Sequence, residues 1–349
     1  MSSLNAQQAL DQRRTNFAKK GMIFAALGGI TQGLNGSIGG IASGVAPFNN
    51  PEFTVWGIIV AAFITAGLLD FISGFWVMLY NKVSKRTITE YIRLIRTKVG
   101  IMLLGGALLG GPLATLGFMS SIFLCGATYG MAIFGLYPIV GALAGAIFLK
   151  EKLTARAWAG IVVAVVGAFI IGYAPPSAEV YPYFYVGLAL AFMGACGGGL
   201  EGAVIGYAND MSDPQIAAGI FRTFGSGLIM LLIVAPTIGL IGGEGVISFH
   251  ILGDAIANVS PVLIIALAAL CSSTTIYMFY PAVNMCGVGR TMVLCVTSSG
   301  WSIVFGFLFR ELGFAYYEIT TQAIIGVIVL ICGTALTVAN PKKLISLRK

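Results

Sequence analysis

Charge is the scarcest commodity in this sequence. Asp, Glu, Lys and Arg make up 9% of its 349 residues, where a soluble domain carries about 25%. Histidine is scarcer still, with His250 alone. One histidine cannot build the usual metal or acid–base sites, and no His-Glu-x-x-His motif occurs. No Gly-x-x-x-x-Gly-Lys-Ser/Thr loop is present, which argues against ATP-driven work by this chain alone. The six cysteines, Cys125, Cys196, Cys271, Cys286, Cys295 and Cys332, sit in or at the ends of apolar runs without metal-ligand spacing, so they read as buried thiols. No enzyme, cofactor or metal is therefore expected. Residues 1–20 are polar and charged; they lack the apolar core of a cleavable signal peptide, which leaves the first apolar segment as an uncleaved anchor.

Apolar residues are what the chain has in quantity, at 58%, together with 47 glycines. Glycine at that level suits helices pressed together in a bilayer. The apolar runs are long and continuous rather than alternating segments of about ten residues, which excludes a β-barrel. The fold class expected is an all-α polytopic membrane protein. Ten spans can be drawn, each near the ~20 residues a bilayer requires: roughly 21–43, 54–80, 100–124, 128–149, 155–173, 183–207, 215–239, 261–282, 291–309 and 320–339. With both termini cytoplasmic, the inner segments hold every Lys and Arg of the chain except Arg310. The formal charge of +7 then records topology rather than a nucleic-acid partner. Within the 81–98 connection, Ile88, Tyr91, Ile92 and Ile95 share one side of a short basic helix suited to the inner membrane surface. The 240–260 connection, with Glu244, His250 and Asp254, offers no evident chemistry.

An internal repeat appears at an offset near 162. Asn50-Pro51-Glu52 ahead of the second span corresponds to Asp213-Pro214-Gln215 ahead of the seventh, each an N-cap residue followed by proline. Gly36, Gly40 and Gly44 fall on Gly198, Gly202 and Gly206, Cys125-Gly126 falls on Cys286-Gly287, and Gly160 and Gly167 share their spacing with Gly326 and Gly333. The expected layout is a cytoplasmic segment 1–20, a five-helix repeat over 21–175, a second over 183–340 and a cytoplasmic tail 341–349. Five is odd, so the second repeat enters the membrane inverted. Inverted repeats give alternating access a structural basis.

Tyr137-Pro138-Ile139-Val140, followed by Phe148-Leu149-Lys150-Glu151-Lys152-Leu153 and the glycines of the fifth span, resembles the EamA-like permeases of the drug/metabolite transporter superfamily. The second copy keeps Glu311 but has Ser299-Gly300 where a proline would be expected. The resemblance implies a secondary transporter whose cavity is lined by spans 1–4 and 6–9, with spans 5 and 10 peripheral. It also implies that Glu151 and Glu311 are structural, closing helix ends with nearby basic residues.

Ionisable residues inside membrane spans are costly and mark candidate sites. Asp70 lies in span 2, Glu201 in span 6 and Arg222 in span 7. Glu201 precedes Asn209 by eight residues, and Arg222 follows Pro214 by eight. At ~1.5 Å per residue both lie about 12 Å from the inner ends of their helices, so they can meet as an ion pair or as a substrate anchor. Asp70 has no evident partner. An unpaired acid at that depth favours its protonated form, which suits proton coupling. Gln32 and Asn35 in span 1 carry amides that need several hydrogen bonds. Trp76, Tyr137, Tyr277 and Ser298 lie at similar depths, as cavity lining or as packing; membrane Ser and Thr also bond their own backbone.

The function expected is secondary active transport of a small organic metabolite or drug-like solute by alternating access, with proton coupling as one form of it. A lipid-linked flippase, or a non-transporting receptor or scaffold, is the alternative. The partners expected are a small-molecule substrate and membrane lipid, in a monomer or homodimer of the inner or plasma membrane.

Overall fold

The computed structural model describes residues 2–84, 88–125, 130, 133–173, 183–314 and 320–338. All regular structure among them is helical. Six segments are long and apolar enough to cross a membrane: Val55–Val83, Lys98–Ser121, Phe184–Ala208, Arg222–Ile241, Val259–Cys286 and Val288–Glu311. Four apolar helices are shorter: Tyr137–Phe148, Ala155–Ile171, Ile247–Ala257 and Thr321–Thr337. The first helix, whose apolar stretch is diluted by Gln32 and Asn35, is in neither group.

In chain order, α1 is Ser2–Ser43 and α2 is Val55–Val83. The short α3 is Ile88–Ile95. Lys98–Leu108, a π-helical turn Leu109–Leu113, and Ala114–Cys125 run on as one rod, α4. Then come α5, Tyr137–Phe148; α6, Ala155–Gly172; and α7, Phe184–Ala208. The rod α8 runs from Pro214 to Ile241 and contains two π-helical stretches, Ala218–Gly225 and Met230–Val234. Helices α9, Ile247–Ala257, and α10, Val259–Cys286, follow. Finally α11 is Val288–Val296, α12 is Ser298–Glu311 and α13 is Thr321–Val338.

Local sequence sets several of these boundaries. The hydroxyls of Thr54, Thr97 and Thr154 accept the N–H groups of Gly57, Gly100 and Ala157, capping α2, α4 and α6. Gly287, at φ +88°, breaks α10 from α11, a conformation glycine adopts without steric cost. Pro214 opens α8 as its position relative to Asp213 suggests. The matching Pro51 does not open α2, which starts at Val55 behind its own cap, Thr54. Both sites nevertheless make the same turn: Asn50 Oδ1 accepts from Glu52 N–H at 3.0 Å, and Asp213 Oδ1 from Gln215 N–H at 2.9 Å. The basic connection forms α3, with Tyr91 buried and Ile92 and Ile95 exposed on its outer side. The 240–260 stretch holds α9, and Glu244 there accepts a hydrogen bond from Thr54.

The helices pair across the two halves of the chain. Helix α1 packs on α10, and α7 on α4; α5 packs on α7, and α12 on α1; α2 packs on α8, and α6 on α13. Exchanging the halves maps the first pair onto the second and the third onto the fourth, and leaves the last two unchanged. Lipid is as apolar as these side chains, so close packing rather than water exclusion holds such helices together. The α6–α13 contact is the plainest case: methyl groups on Gly167 or Gly333 would overlap the backbones of Leu330 or Ala164. The row Gly36, Gly40, Gly44 is not used this way. Gly36 and Gly40 are exposed, and α1 instead approaches its neighbours through Gly21, Gly29 and Gly33. On α7 the contact is split: Gly194 and Gly197 face α4, and Gly199 and Gly202 face α5 and α11.

Candidate functional site

At the centre of the bundle Arg222 joins two carboxylates. Its Nη1 donates to Asp70 Oδ2 at 2.6 Å, and its Nε lies 2.8 Å from Glu201 Oε1. The pairing of Glu201 with Arg222 follows the depth arithmetic of the sequence. The expectation that Asp70 lacks a partner is corrected. Asp70 Oδ2 also accepts from the Ser226 hydroxyl at 2.7 Å, one turn beyond Arg222 on α8. Tyr280 of α10 is buried close enough to interact electrostatically with both Glu201 and Arg222. The three charged side chains are 9–19% exposed. Removing one member of such a buried pair typically costs ~3–5 kcal/mol.

The π turn of α4 makes room for this cluster. Pro112 has no N–H to donate, and the N–H of Ala114 bonds Gly111 and Leu109 rather than Gly110. The Gly110 carbonyl instead accepts from Arg222 Nη2 at 3.3 Å. Gly110 and Gly111 leave a bay with no side chains. A methyl on Gly110 would overlap the Glu201 carboxylate, and one on Gly111 would overlap the Ser226 hydroxyl. Sequence reasoning missed Gly110, Gly111 and Ser226. The available signal was Leu109-Gly110-Gly111-Pro112 in mid-span, because proline there frees backbone groups that need partners.

The other candidates lie outside the ion cluster. Trp76 donates from Nε1 to the Ala266 carbonyl at 3.2 Å, which ties α2 to α10. Tyr277 packs edge-on against Tyr80, with ring centroids 5.4 Å apart, and its hydroxyl lies 3.1 Å from that of Ser84. Tyr137 opens α5 beside Phe134. Gln32 and Ser298 are half-buried on α1 and α12. Asn35 is buried, and its Oδ1 has no hydrogen-bond partner. Glu151 closes a helix end: both its oxygens accept the Val288 N–H, at 3.1 and 3.0 Å, capping α11, and Arg290 is near enough to interact with it electrostatically. Glu311 is exposed and pairs with its neighbour Arg310 at 2.8 Å. No group of metal-ligating side chains occurs among the described residues.

No curated protein matches the chain. One crystal structure aligns with a TM-score of 0.60 over 90% of this chain and 97% of its own, at 15% identity, which shows a shared fold. Residues 19–173 match the model of the EamA-like transporter family. Apolar helices of membrane-spanning length and that match together mark an integral multi-pass membrane protein. The EamA-like family belongs to the drug/metabolite transporter superfamily, and residues 19–173 are the part of this chain that is similar to it.

Proposed function

We propose that this protein is a secondary transporter of a small organic solute, working by alternating access between two inverted five-span halves. Asp70, Arg222 and Glu201 are its coupling site in this reading. One observation carries the assignment: Arg222 links Asp70, from the first half, to Glu201, from the second. A change in how the halves meet has to remake the Asp70–Arg222 bond, while Glu201 stays in reach of Arg222 within its own half. Two carboxylates share one guanidinium, so the fully ionised cluster keeps one negative charge. Unbalanced charge at membrane depth costs ~2.5–3.5 kcal/mol or more. A proton or a cationic group of the solute relieves that cost, and competition between them couples one movement to the other. The reciprocal pairing of helices across the halves supports the inverted repeat.

The test begins with a thermal-shift screen of purified protein against metabolites and organic cations, since a ligand that binds only the folded state raises Tm. The hits are then assayed in proteoliposomes with and without a proton gradient. Asp70→Asn and Glu201→Gln should each impair uptake while the protein stays folded. Wild-type uptake in both variants removes the site assignment. A library with no transported member under any gradient removes the transporter reading.

A further inference from the structure

Away from the ion cluster, an apolar groove runs between α1, α12 and α13. It encloses about 500 Å³ and continues between α12 and α13 into a further 330 Å³. The hydroxyls within it are those of Thr297 and Thr334. Each already donates to its own helix, Thr297 to the Leu294 carbonyl at 2.5 Å and Thr334 to that of Leu330 at 2.8 Å. With both hydroxyls committed, the lining offers a polar solute little beyond the Trp301 indole, whereas a hydrocarbon chain loses nothing.

The groove has a charged end. Leu294, Thr297, Trp301 and Val304 line it and follow one another at helical spacing along a single face. One turn before Leu294 on that face stands Arg290, which is 5% exposed. Its Nε and Nη1 are buried without a hydrogen-bond partner. A guanidinium cannot shed its charge; Glu151 is near enough to interact with it electrostatically, but the two buried donors without an acceptor remain costly. On α1, Lys19 is exposed two turns before Ala26, which lines the groove.

We propose that this face binds one anionic phospholipid, with an acyl chain in the groove and its phosphate drawn to the end that carries Arg290 and Lys19. The inference rests on the chain being an integral membrane protein and is independent of the coupling site. Apolar walls and, at one end, a guanidinium with two unsatisfied donors suit a molecule that joins an acyl chain to an anionic head.

Native mass spectrometry of the full chain in detergent tests it, with palmitoyl-oleoyl phosphatidylglycerol titrated against phosphatidylcholine of the same chains. The wild type should retain one phosphatidylglycerol in preference. Arg290→Gln should weaken that binding about tenfold, as expected for a lost charge-assisted contact, and leave phosphatidylcholine unchanged. Gly300→Leu projects into the groove, away from the charge, and should weaken both lipids; it carries the test if Arg290→Gln does not fold. Equal retention of the two lipids, a preference that survives Arg290→Gln, or a silent Gly300→Leu overturns the proposal. So does stabilisation by inorganic phosphate as large as that by the lipid, which would mark a free-anion site.

Discussion

Glu151 and Val288 join the two halves of the chain at the start of α11: both carboxylate oxygens accept the Val288 N–H, at 3.1 and 3.0 Å. The contact satisfies one of the orphan donors of a helix N-terminus and places a negative charge at its positive end. Glu151→Ala should lower stability by ~1–2 kcal/mol, and Glu151→Gln, which keeps an acceptor, by less. Thermal denaturation in detergent gives the ranking, and equal losses would show that the cap contributes little.

The ion cluster should respond unevenly to removal of its members. Arg222→Met leaves two carboxylates facing each other and should cost ~3–5 kcal/mol, more than Asp70→Asn or Glu201→Gln alone. Neutralising all three together should recover part of that loss. A double-mutant cycle by chemical denaturation measures the coupling, and additive effects would mean that the contacts do not act as a unit.

Two glycines of α4 should behave in opposite ways. Gly110→Ala sets a methyl against the Glu201 carboxylate and should displace it, lowering both stability and transport. Gly105→Ala meets nothing within 4 Å and should be neutral, or stabilising by up to ~1 kcal/mol through helix propensity. Melting temperatures and uptake by the two variants check the contrast.

Parts of this site were legible in the sequence because they depend on distance along a helix. Glu201 and Arg222 could be set at one depth by counting from Asn209 and Pro214, and α7 and α8 do end and begin there. Asp70 could not be assigned a partner that way. Which residue it meets depends on how α2 is rotated against α8, and sequence spacing carries no such angle. The glycine row of α1 failed for the same reason. A period of four marks a smooth face without saying whether another helix covers it, and α1 turns Gly21, Gly29 and Gly33 to its neighbours instead of Gly36 and Gly40. Asn50 and Asp213 both read as N-caps; that holds for Asp213, since α8 begins at Pro214, whereas Asn50 makes the same local turn four residues before Thr54, which caps α2.

The π turn in α4 has an effect beyond the bay it opens. A π turn accommodates one more residue than an α turn, and each residue of an α-helix advances the azimuth by about 100°. Everything from Ala114 onward is therefore out of phase with Lys98–Leu108. The beneficiary is Gly117, about one turn past Leu113, which presses against Gly194 of α7. Deleting a single residue from Leu109–Leu113 would straighten the rod, swing Gly117 away and drive a larger side chain into that contact. The same five residues thus set the clearance around the ions and the angular timing of a helix crossing several residues away.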